Sequence, residues 1–542
     1  MGTDKSVLEA GLSRRGFLTA AGVAAATASL IPDASAAAGT PAHGPSQVGD
    51  PVETPLVGGL HLQFGADPSR QMVVSWHTRQ PVERARVLLG GPTGHYERTV
   101  PAEQTSYTDA KSGHVIYAYH AHVNGLAPSR TYLYAALHDG VEAEFGSFHT
   151  APRGRAQFTF TSFGDQGTPT TGRVYVPPPG SPPPAALPIV YVNDNLGSPE
   201  SADVTAGVER VQPLFHLFNG DLCYANLATD RVRTWADFWT NNSRSARNRP
   251  WMPAVGNHEI EAGNGHLGYD AYQTYFALPR QPGQSDAARG MWYAFTVGSV
   301  RVISLDNNDV CYQDAGDIYN RGYSHGAQKA WLEGELRATR RNRDIDWIVA
   351  CMHQVVMSTA APPFNGADLG IRQEWLPLFD KYEVDLVVCG HEHHYERSHP
   401  VRGQQASETR TPIPVATNTR VIDTTKGTVH MVLGGGGTSA PSNNLLISPP
   451  GCRVITGVGD VDPKTGQRTP IYVFEPSAPW LASRDAAHTS GFAAFTVDPG
   501  DGHTAMTRIH VTYYNTGPQG ALTALETFSL QRPRRDRPAP RS

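Results

Sequence analysis

Five short sequence blocks between residues 163 and 396 contain side chains that commonly bind metal ions. In chain order they read FGDQG, NGDLCY, GNHE, CMHQ and GHEHHYE. They supply two aspartates, a tyrosine, an asparagine and three histidines, namely Asp165, Asp221, Tyr224, Asn257, His353, His391 and His393. Oxygen and nitrogen donors of these types, in this number, are enough for two adjacent metal ions, and the first hypothesis is therefore a two-metal centre.

Four of the blocks directly follow apolar runs that predict buried strands. These runs span residues 158–163, 214–218, 345–350 and 384–388. They are rich in β-branched and aromatic residues, and each is ended by glycine or a polar turn residue. Because open α/β sheets place their active sites at the carboxyl ends of strands, we expect the donors to lie together.

The donor types favour iron, manganese or zinc over an ion held by soft thiolates. Two ions about 3.5 to 4 Å apart need a shared carboxylate, so one of the aspartates is expected to bridge them. Many two-metal phosphoesterases begin with Asp-x-His, whereas the residue two positions after Asp165 is Gly167. Tyr224 can replace the missing histidine with a phenolate, which favours a trivalent ion such as Fe(III).

The blocks resemble those of the purple acid phosphatases, within the calcineurin-like metallophosphoesterase superfamily, and the likeness extends over roughly residues 55–530. The resemblance implies that Asp221 bridges an Fe(III) ion and a divalent ion, which is Zn, Mn or Fe. It implies two further ligand sets: Asp165, Tyr224 and His393 for Fe(III), and Asn257, His353 and His391 for the divalent ion. His258 matches the family's outer-sphere histidine and is the candidate general acid.

The sequence departs from the family pattern in one stretch. Plant-type members carry a pair of histidines beyond the fourth block that face the substrate phosphate, but here residues 361–365 read APPFN. No histidine lies between His353 and His391. Another residue must therefore make the second contact with the phosphate, and the candidate substrate-binding residues on the same loop are Asp368, Arg372 and Gln354.

The expected function is that of an exported acid phosphatase acting on small phosphomonoesters. Two ions of roughly +5 total charge would provide a bound hydroxide that attacks phosphorus in line, while His258 protonates the leaving oxygen. Two alternatives remain open. The same site could belong to a phosphodiesterase or phospholipid head-group hydrolase, or the chain could be a non-enzymatic surface-binding protein that acts through its N-terminal β-sandwich.

Composition is that of a soluble globular protein with more than one domain. The chain has 542 residues, of which 39% are hydrophobic and 18% charged, and its formal net charge is −5. A negative chain has no electrostatic attraction for nucleic acid, so we expect no nucleic-acid partner. The oligomeric state cannot be read from the sequence.

The N-terminus has the features of a twin-arginine export signal. Arg14 and Arg15 precede an alanine-rich, mildly apolar run, and a small-x-small site ends at Ala36. The apolar run at residues 17–31 is shorter than the about 20 residues that a membrane anchor needs. We therefore expect export by the twin-arginine route, a secreted, periplasmic or cell-wall location, and no integral membrane segment after signal removal.

The fold expected is an α/β, or α+β sandwich, metallophosphoesterase domain preceded by an all-β, fibronectin III-like sandwich. The predicted order is a signal peptide (1–36), a linker (37–54), the β-sandwich (55–152), the catalytic domain (153–530) and a disordered basic tail (531–542). Helical periodicity predicts helices over 232–241, 328–341 and 372–382. A proline-rich insertion at 176–185 is expected on the surface.

Five cysteines are present, and an odd number leaves at least one thiol free. Cys351 and Cys389 lie in predicted strands and are expected to be buried thiols. A disulfide between two of the other three, Cys223, Cys311 and Cys452, is possible, but its pairing cannot be fixed from the sequence.

Overall fold

The structure is a computed structural model that describes residues 55–169, 196–314, 316–464, 466–500 and 505–537. The predicted signal peptide, the linker and the proline-rich insertion at 176–185 lie outside the described residues. None of the helices in the described ranges is long and apolar enough to cross a membrane.

The N-terminal domain is built from two four-stranded antiparallel sheets. Its strands are β1 (Gly58–Phe64), β2 (Met72–Thr78), β3 (Arg86–Gly90), β4 (Tyr96–Pro101), β5 (Glu103–Thr108), β6 (Val115–Val123), β7 (Thr131–Leu137) and β8 (Glu144–His149). One sheet has the order β1-β2-β6-β5 and the other β4-β3-β7-β8. Buried side chains such as Trp76, Leu89 and Tyr119 fill the space between them. The predicted all-β sandwich is confirmed.

The second domain alternates strands and helices. Its strands are β9 (Phe158–Phe163), β10 (Phe215–Phe218), β11 (Trp251–Pro253), β12 (Tyr293–Val297), β13 (Val300–Ser304), β14 (Trp347–Cys351), β15 (Ala367–Asp368), β16 (Leu386–Cys389), β17 (Tyr395–Ser398), β18 (Val401–Gln404), β19 (Pro412–Pro414), β20 (Val421–Asp423), β21 (Val429–Leu433), β22 (Cys452–Val461), β23 (Arg468–Glu475), β24 (Leu481–Arg484), β25 (Gly491–Asp498), β26 (Met506–Gly517) and β27 (Ala521–Pro533). Its α-helices are α1 (Glu200–Val211), α2 (Arg231–Ala246), α3 (Asp270–Tyr275), α4 (Ala327–Arg341), α5 (Leu369–Glu374) and α6 (Leu376–Lys381). Single 3₁₀ turns occur at Ala225–Leu227, Asn257–Glu259, Asp286–Ala288, Asn307–Asp309 and Pro518–Gly520.

Two seven-stranded mixed sheets form the centre of this domain. Their orders are β11-β10-β9-β25-β26-β27-β20 and β12-β13-β14-β16-β21-β17-β24. Strands β9, β10 and β11 are parallel to one another, and so are β13, β14, β16 and β21. Smaller sheets are β15-β22-β23 and β18-β19. The predicted α/β metallophosphoesterase architecture is confirmed.

The alternation of side chains along the strands explains how the layers pack. In β14, Val349 and Cys351 belong to the core shared with the first sheet, whereas Ile348 and Ala350 belong to a second core. That second core includes Leu332 and other apolar residues of α4, α5 and α6. Burial on both faces accounts for the continuous apolar runs that predicted these strands.

The three helices predicted from periodicity are present, with one interruption. The helix expected over 372–382 is divided into α5 and α6 at Trp375, one residue before the Leu-Pro pair that begins α6. Pro377 has no N–H to continue the preceding helix, but it fits the first turn of a new one.

The predicted tail begins too early. β27 extends to Pro533, and beyond it the backbone N–H of Arg535 donates to Asp346 over 2.8 Å. Asp536 also forms an ion pair with Arg155. The prediction of disorder is therefore wrong for residues 531–537, because ladder hydrogen bonds and ion pairs hold them, while residues 538–542 lie outside the described part.

Candidate metal centre

The seven candidate donors lie at the carboxyl ends of the central strands or in the loops that follow them. Asp165 is two residues beyond β9, and Asp221 is three residues beyond β10. In the second sheet, His353 and His391 each follow the end of a strand, β14 and β16, by two residues. Since strands in each set run parallel, both sheets deliver their donors to the same edge of the sandwich.

Four of the seven donor residues have a left-handed backbone. The φ angles are 64° at Asp165, 51° at Asp221, 56° at Tyr224 and 72° at His391. Such a conformation costs non-glycine residues roughly 1–3 kcal/mol each and persists where the surrounding fold imposes it. Strain that coincides with the donor positions marks this edge as a functional site.

One group of donors surrounds the Nε2 atom of His353. That atom lies 3.0 Å from Oδ2 of Asp221, 3.1 Å from Oδ1 of Asn257 and 3.1 Å from Nδ1 of His391. Asp221, His353 and His391 can place one ligand atom each within 4.8 Å of one another. Four lone-pair donors this close repel one another unless a proton or a cation lies among them, so the group fits a metal ion.

A backbone carbonyl fixes the tautomer of His353. Its Nδ1 lies 2.7 Å from the carbonyl oxygen of Asn219. A carbonyl can only accept, so Nδ1 carries a proton and Nε2 is the nitrogen that faces the donor group and can bind a cation. The Asn219 side chain also bonds Ser162, Cys351 and the Cys389 carbonyl, and it thereby ties the ends of β9, β14 and β16 together.

A second group of donors surrounds the hydroxyl of Tyr224. The hydroxyl lies 3.2 Å from Oδ1 of Asp165 and 3.1 Å from Nε2 of His393. The other ring nitrogen of His393, Nδ1, lies 2.5 Å from the carbonyl oxygen of Ala440. By the same argument as for His353, this hydrogen bond leaves Nε2 of His393 free to bind a cation.

The two groups meet at glycines that permit close approach. A Cβ atom on Gly390 would lie 2.3 Å from Oδ2 of Asp165, and one on Gly220 would lie 2.7 Å from Nδ1 of His353. Gly220 also has a φ of 80°. A side chain at either position would displace a donor, which explains why glycine precedes Asp221 and His391.

The electrostatics of the first group require a positive charge. Burial raises the pKa of Asp221, but His353 and His258 lower it by more, and the net shift is downward. Burial lowers the pKa of His353, but the carboxylates of Asp221 and Asp165 and the bond to the Asn219 carbonyl together outweigh it, and the net result is a pKa of about 9. Without a cation, the pair therefore retains a proton in the place that a metal ion would take.

Glu259 organises the centre although it was not predicted as a site residue. Its carboxylate accepts hydrogen bonds from three backbone N–H groups, at 2.9 Å from Asp221, 2.8 Å from Leu222 and 2.7 Å from Gly256. It thus joins the NGDLCY and GNHE blocks. Its sequence signal is its place in the GNHE block, directly after the predicted ligand Asn257 and the predicted general acid His258.

His258 lies beside both donor groups. Its backbone N–H donates to Oδ1 of Asp221 over 2.9 Å, and its ring centroid lies 4.7 Å from that of Tyr224. Its Nδ1 lies 2.9 Å from Oδ1 of Asn226. Burial lowers the pKa of His258, and Asp221 opposes that shift without cancelling it.

The predicted substrate contacts at Arg372 and Asp368 are wrong. Arg372 is fully buried and donates to the carbonyls of Val356 and Thr409 and to Glu475. The Asp368 carboxylate is buried too, and it accepts from three backbone N–H groups, those of Tyr312, Gln313 and Gly370. These contacts stabilise loops and leave neither group facing solvent.

Gln354 is buried beside His353, and its side-chain amide donates to Asn308 over 2.6 Å. Its role in substrate binding stays a prediction. The stretch without histidines instead brings Phe364 to the centre, with its ring centroid 5.7 Å from that of His393.

All five cysteines are buried free thiols. The disulfide that remained possible among Cys223, Cys311 and Cys452 is therefore not formed in the structure. Burial raises the pKa of each thiol, which keeps them protonated and unreactive.

Two family models match the chain. The model of the purple acid phosphatase N-terminal domain matches residues 57–150, and that of the calcineurin-like phosphoesterases matches residues 187–395. An uncharacterized protein of Mycobacterium tuberculosis is 56% identical over 528 residues, which cover 97% of both chains. The Fe(3+)-Zn(2+) purple acid phosphatase 12 of Arabidopsis thaliana is 31% identical over 192 residues, which cover 34% of this chain and 37% of that protein.

A solved structure has the same fold. The purple acid phosphatase PPD1 from seeds of yellow lupin (Lupinus luteus) matches with a TM-score of 0.61 and 18% sequence identity. The match covers 89% of this chain and 75% of the lupin chain.

Proposed function

The chain belongs to the purple acid phosphatases, a family of calcineurin-like phosphoesterases and hence hydrolases of phosphoric esters, and on that premise we propose that it hydrolyses phosphomonoesters at a two-metal centre. The observation that carries the proposal is the convergence of seven buried or nearly buried donors into two groups. In both groups a histidine Nε2 faces the other donors and is the nitrogen that can bind an ion, because its partner Nδ1 donates to a backbone carbonyl.

The two donor groups differ in their types of donor atom, and this difference supports two different ions. The group around Tyr224 combines a phenol oxygen, a carboxylate and one imidazole, a set suited to Fe(III). The group around His353 has two imidazoles and an amide oxygen, which suit a divalent ion such as Zn, Mn or Fe. Asp221 belongs to the group around His353 and is proposed to bridge both ions. The Arabidopsis relative, an Fe(3+)-Zn(2+) enzyme by name, supports this pairing.

Bound at these donors, the two ions would supply Lewis acidity toward the phosphate oxygens and toward the attacking water. The chain itself would provide the proton for the leaving group. The Nδ1 atom of His258 is held by Asn226, so its Nε2 is the atom that can hold and deliver a proton. No serine or cysteine is proposed as a nucleophile, and the buried Cys223 thiol is unsuited to the role because burial raises its pKa.

We also propose that the protein is exported by the twin-arginine route. The support is the sequence itself, with Arg14 and Arg15 followed by an apolar run and a small-x-small site. That route carries folded proteins, which suits an enzyme that takes up its metals before export. Cell fractionation of the Arg14→Lys/Arg15→Lys variant should find the protein inside the cell, and unchanged export would contradict the proposal.

The test of the enzymatic proposal is metal analysis together with a substrate pair. Purified protein loaded with iron and zinc should contain both metals and hydrolyse p-nitrophenyl phosphate faster than bis-p-nitrophenyl phosphate. The opposite preference would identify a phosphodiesterase at the same site. Absence of bound metal, or of turnover on both esters, would overturn the proposed function.

A further inference from the structure

The hairpin formed by β22 and β23 lies beside the candidate metal centre. At its base, Nη1 of Arg453 donates to the carbonyl of Phe364 over 2.9 Å, and the Phe364 ring contacts His393. At its tip, the side chain of Gln467 donates to the carbonyl of Gly316 over 3.4 Å. Gly316 packs against Asn257, since a Cβ added to this glycine would lie 2.9 Å from the Asn257 carbonyl oxygen.

The hairpin therefore extends from one donor group to the other. Its base lies one residue away from His393, a donor of the first ion, and its tip lies one residue away from Asn257, a donor of the second. This wall therefore stands next to both donor groups, where the organic part of a phosphate ester bound between the two ions would lie. Side chains of the hairpin are thus placed to select among substrates.

Arg453 is a charged residue of this wall that contacts Phe364, a neighbour of His393. Its guanidinium stacks on the ring of Tyr472, with 3.9 Å between the central carbon and the ring centroid. Both residues are partly exposed. Among the described residues, no carboxylate forms an ion pair with Arg453, unlike the buried Arg372, which is paired with Glu475.

Contacts with Tyr472 and a hydrogen bond to the Phe364 carbonyl hold the guanidinium in place without neutralising it. A guanidinium has five N–H donors in a planar arrangement, and it pairs with carboxylates or phosphates through two of them at once. The Tyr472 ring borders it with apolar surface, and the Phe364 ring lies between its backbone partner and His393. The combination fits a substrate that has an organic body and a second negative charge.

We propose that Arg453 is a specificity-determining residue that binds a second anionic group, carboxylate or phosphate, on the organic part of the phosphomonoester. This inference rests on the proposed phosphatase function. The stretch that lacks the histidine pair of the plant-type members supplies Phe364, which positions Arg453 through its carbonyl.

The test compares 4-carboxyphenyl phosphate with phenyl phosphate. Their leaving groups are closely matched because a carboxylate is a weak electronic substituent, so they differ mainly in the second charge. Arg453→Met should raise KM for the carboxylated ester about tenfold, as expected for a lost hydrogen bond to a charged group, with kcat unchanged. KM for phenyl phosphate should not change, and Arg453→Lys should give an intermediate value because lysine keeps the charge but not the planar pair of donors.

Arg468→Met provides the matched control. Arg468 lies on the same hairpin and also stands over a tyrosine ring, that of Tyr319, at 5.4 Å. Its replacement removes one positive charge at the far end of the wall and should leave both KM values unchanged. An equal effect of the two variants would mean that only the net charge of the hairpin matters, which would overturn the role of Arg453.

Binding of two inert phosphonates gives a readout that does not depend on turnover. Calorimetry on the metal-loaded protein should show that 4-carboxybenzylphosphonate binds more tightly than benzylphosphonate, and that Arg453→Met abolishes the difference. Loss of affinity for both phosphonates would overturn the inference, since Arg453 would then contact the phosphate itself or support the fold. If the wild-type protein hydrolyses neither ester, the proposed function is refuted. If Arg453→Met changes KM equally for both esters, only this inference is refuted.

Discussion

The hydroxyl of Tyr224 lies 3.2 Å from the Asp165 carboxylate, in a fully buried position. Burial raises the pKa of Tyr224 well above its usual value, and the negative charges of Asp165 and Asp221 raise it further. A phenol in these surroundings stays protonated unless a strongly charged cation binds it. The site is therefore arranged so that Tyr224 ionises only together with metal binding, which favours Fe(III) at this position.

The first prediction concerns colour. If Tyr224 binds Fe(III) as a phenolate, charge transfer from ligand to metal should give a broad visible absorption band that is absent in Tyr224→Phe. The visible spectrum of the iron-loaded protein is the measurement. Tyr134→Phe is the control, because Tyr134 is equally buried but donates to the Arg247 carbonyl, away from the donors. A colourless, iron-free and fully active enzyme would contradict the Fe(III) assignment.

The second prediction concerns the bridging aspartate. Oδ1 of Asp221 is held by the backbone N–H of His258, and Oδ2 faces Nε2 of His353. Asp221→Ala should reduce the content of both metals and abolish turnover, whereas Asn257→Ala should mainly reduce the divalent metal. Elemental analysis of the purified variants measures both. Unchanged amounts of both metals in Asp221→Ala would exclude a bridging role.

The positions of the donors could be predicted from the sequence because strand ends have a local signature. The apolar runs before Asp165, Asp221, His353 and His391 end within one residue of the ends of strands β9, β10, β14 and β16. Parallel strands then bring these ends to one edge of a sheet. Residue type and strand position together were sufficient for this part of the site.

Residues that act through long-range contacts could not be predicted in the same way. Arg372 follows the CMHQ block closely enough in the sequence to have been predicted as a substrate contact. Its charged partner is instead Glu475, 103 residues further along the chain. The sequence pattern shows neither this pairing nor that of Arg453 with the Phe364 carbonyl, 89 residues apart. Such contacts depend on how β22 and β23 pack beside α5, and no local periodicity encodes that packing.

The third prediction concerns stability and follows from the buried pair of Arg372 and Glu475. Nη1 of Arg372 lies 2.8 Å from the Glu475 carboxylate, and the arginine side chain is completely buried. Glu475→Gln leaves this arginine without a countercharge, so the free energy of unfolding should fall by about 3–5 kcal/mol. Urea denaturation measures the change. The control is Asp286→Asn, which breaks an exposed ion pair with Arg280 and should change stability little.

The same pair predicts the direction of a pH effect. Burial raises the pKa of Glu475, but Arg372 and the hydroxyls of Thr409 and Thr411 together lower it by more, and the net shift is downward. A carboxyl with a depressed pKa in the folded state contributes stability above its unfolded pKa of about 4.3, and the contribution is lost as pH falls through the folded value. The stability difference between wild type and Glu475→Gln should therefore shrink on acidification below about pH 4. A constant difference down to pH 2 would contradict this account.

The last prediction separates proton transfer from metal binding at His258. The side chain amide of Asn226 lies 3.4 Å from Asp317, which can only accept, so the Asn226 oxygen faces His258 and fixes the proton on Nδ1. A general acid typically contributes about 10²- to 10⁴-fold. His258→Ala should therefore keep both metals and lose rate within that range on alkyl phosphates. The loss should shrink on p-nitrophenyl phosphate, whose leaving group needs little protonation.

His266→Ala serves as the control for this last experiment, since His266 is an exposed histidine in a nearby loop and its loss should leave both rates unchanged. Metal content by elemental analysis and kcat on both substrates decide among three roles for His258. Equal losses on the two substrate types would mean that it holds the phosphate, because binding is indifferent to the leaving group. Loss of metal would mean that the backbone contact with Asp221 depends on the side chain, which would make His258 a structural residue of the centre.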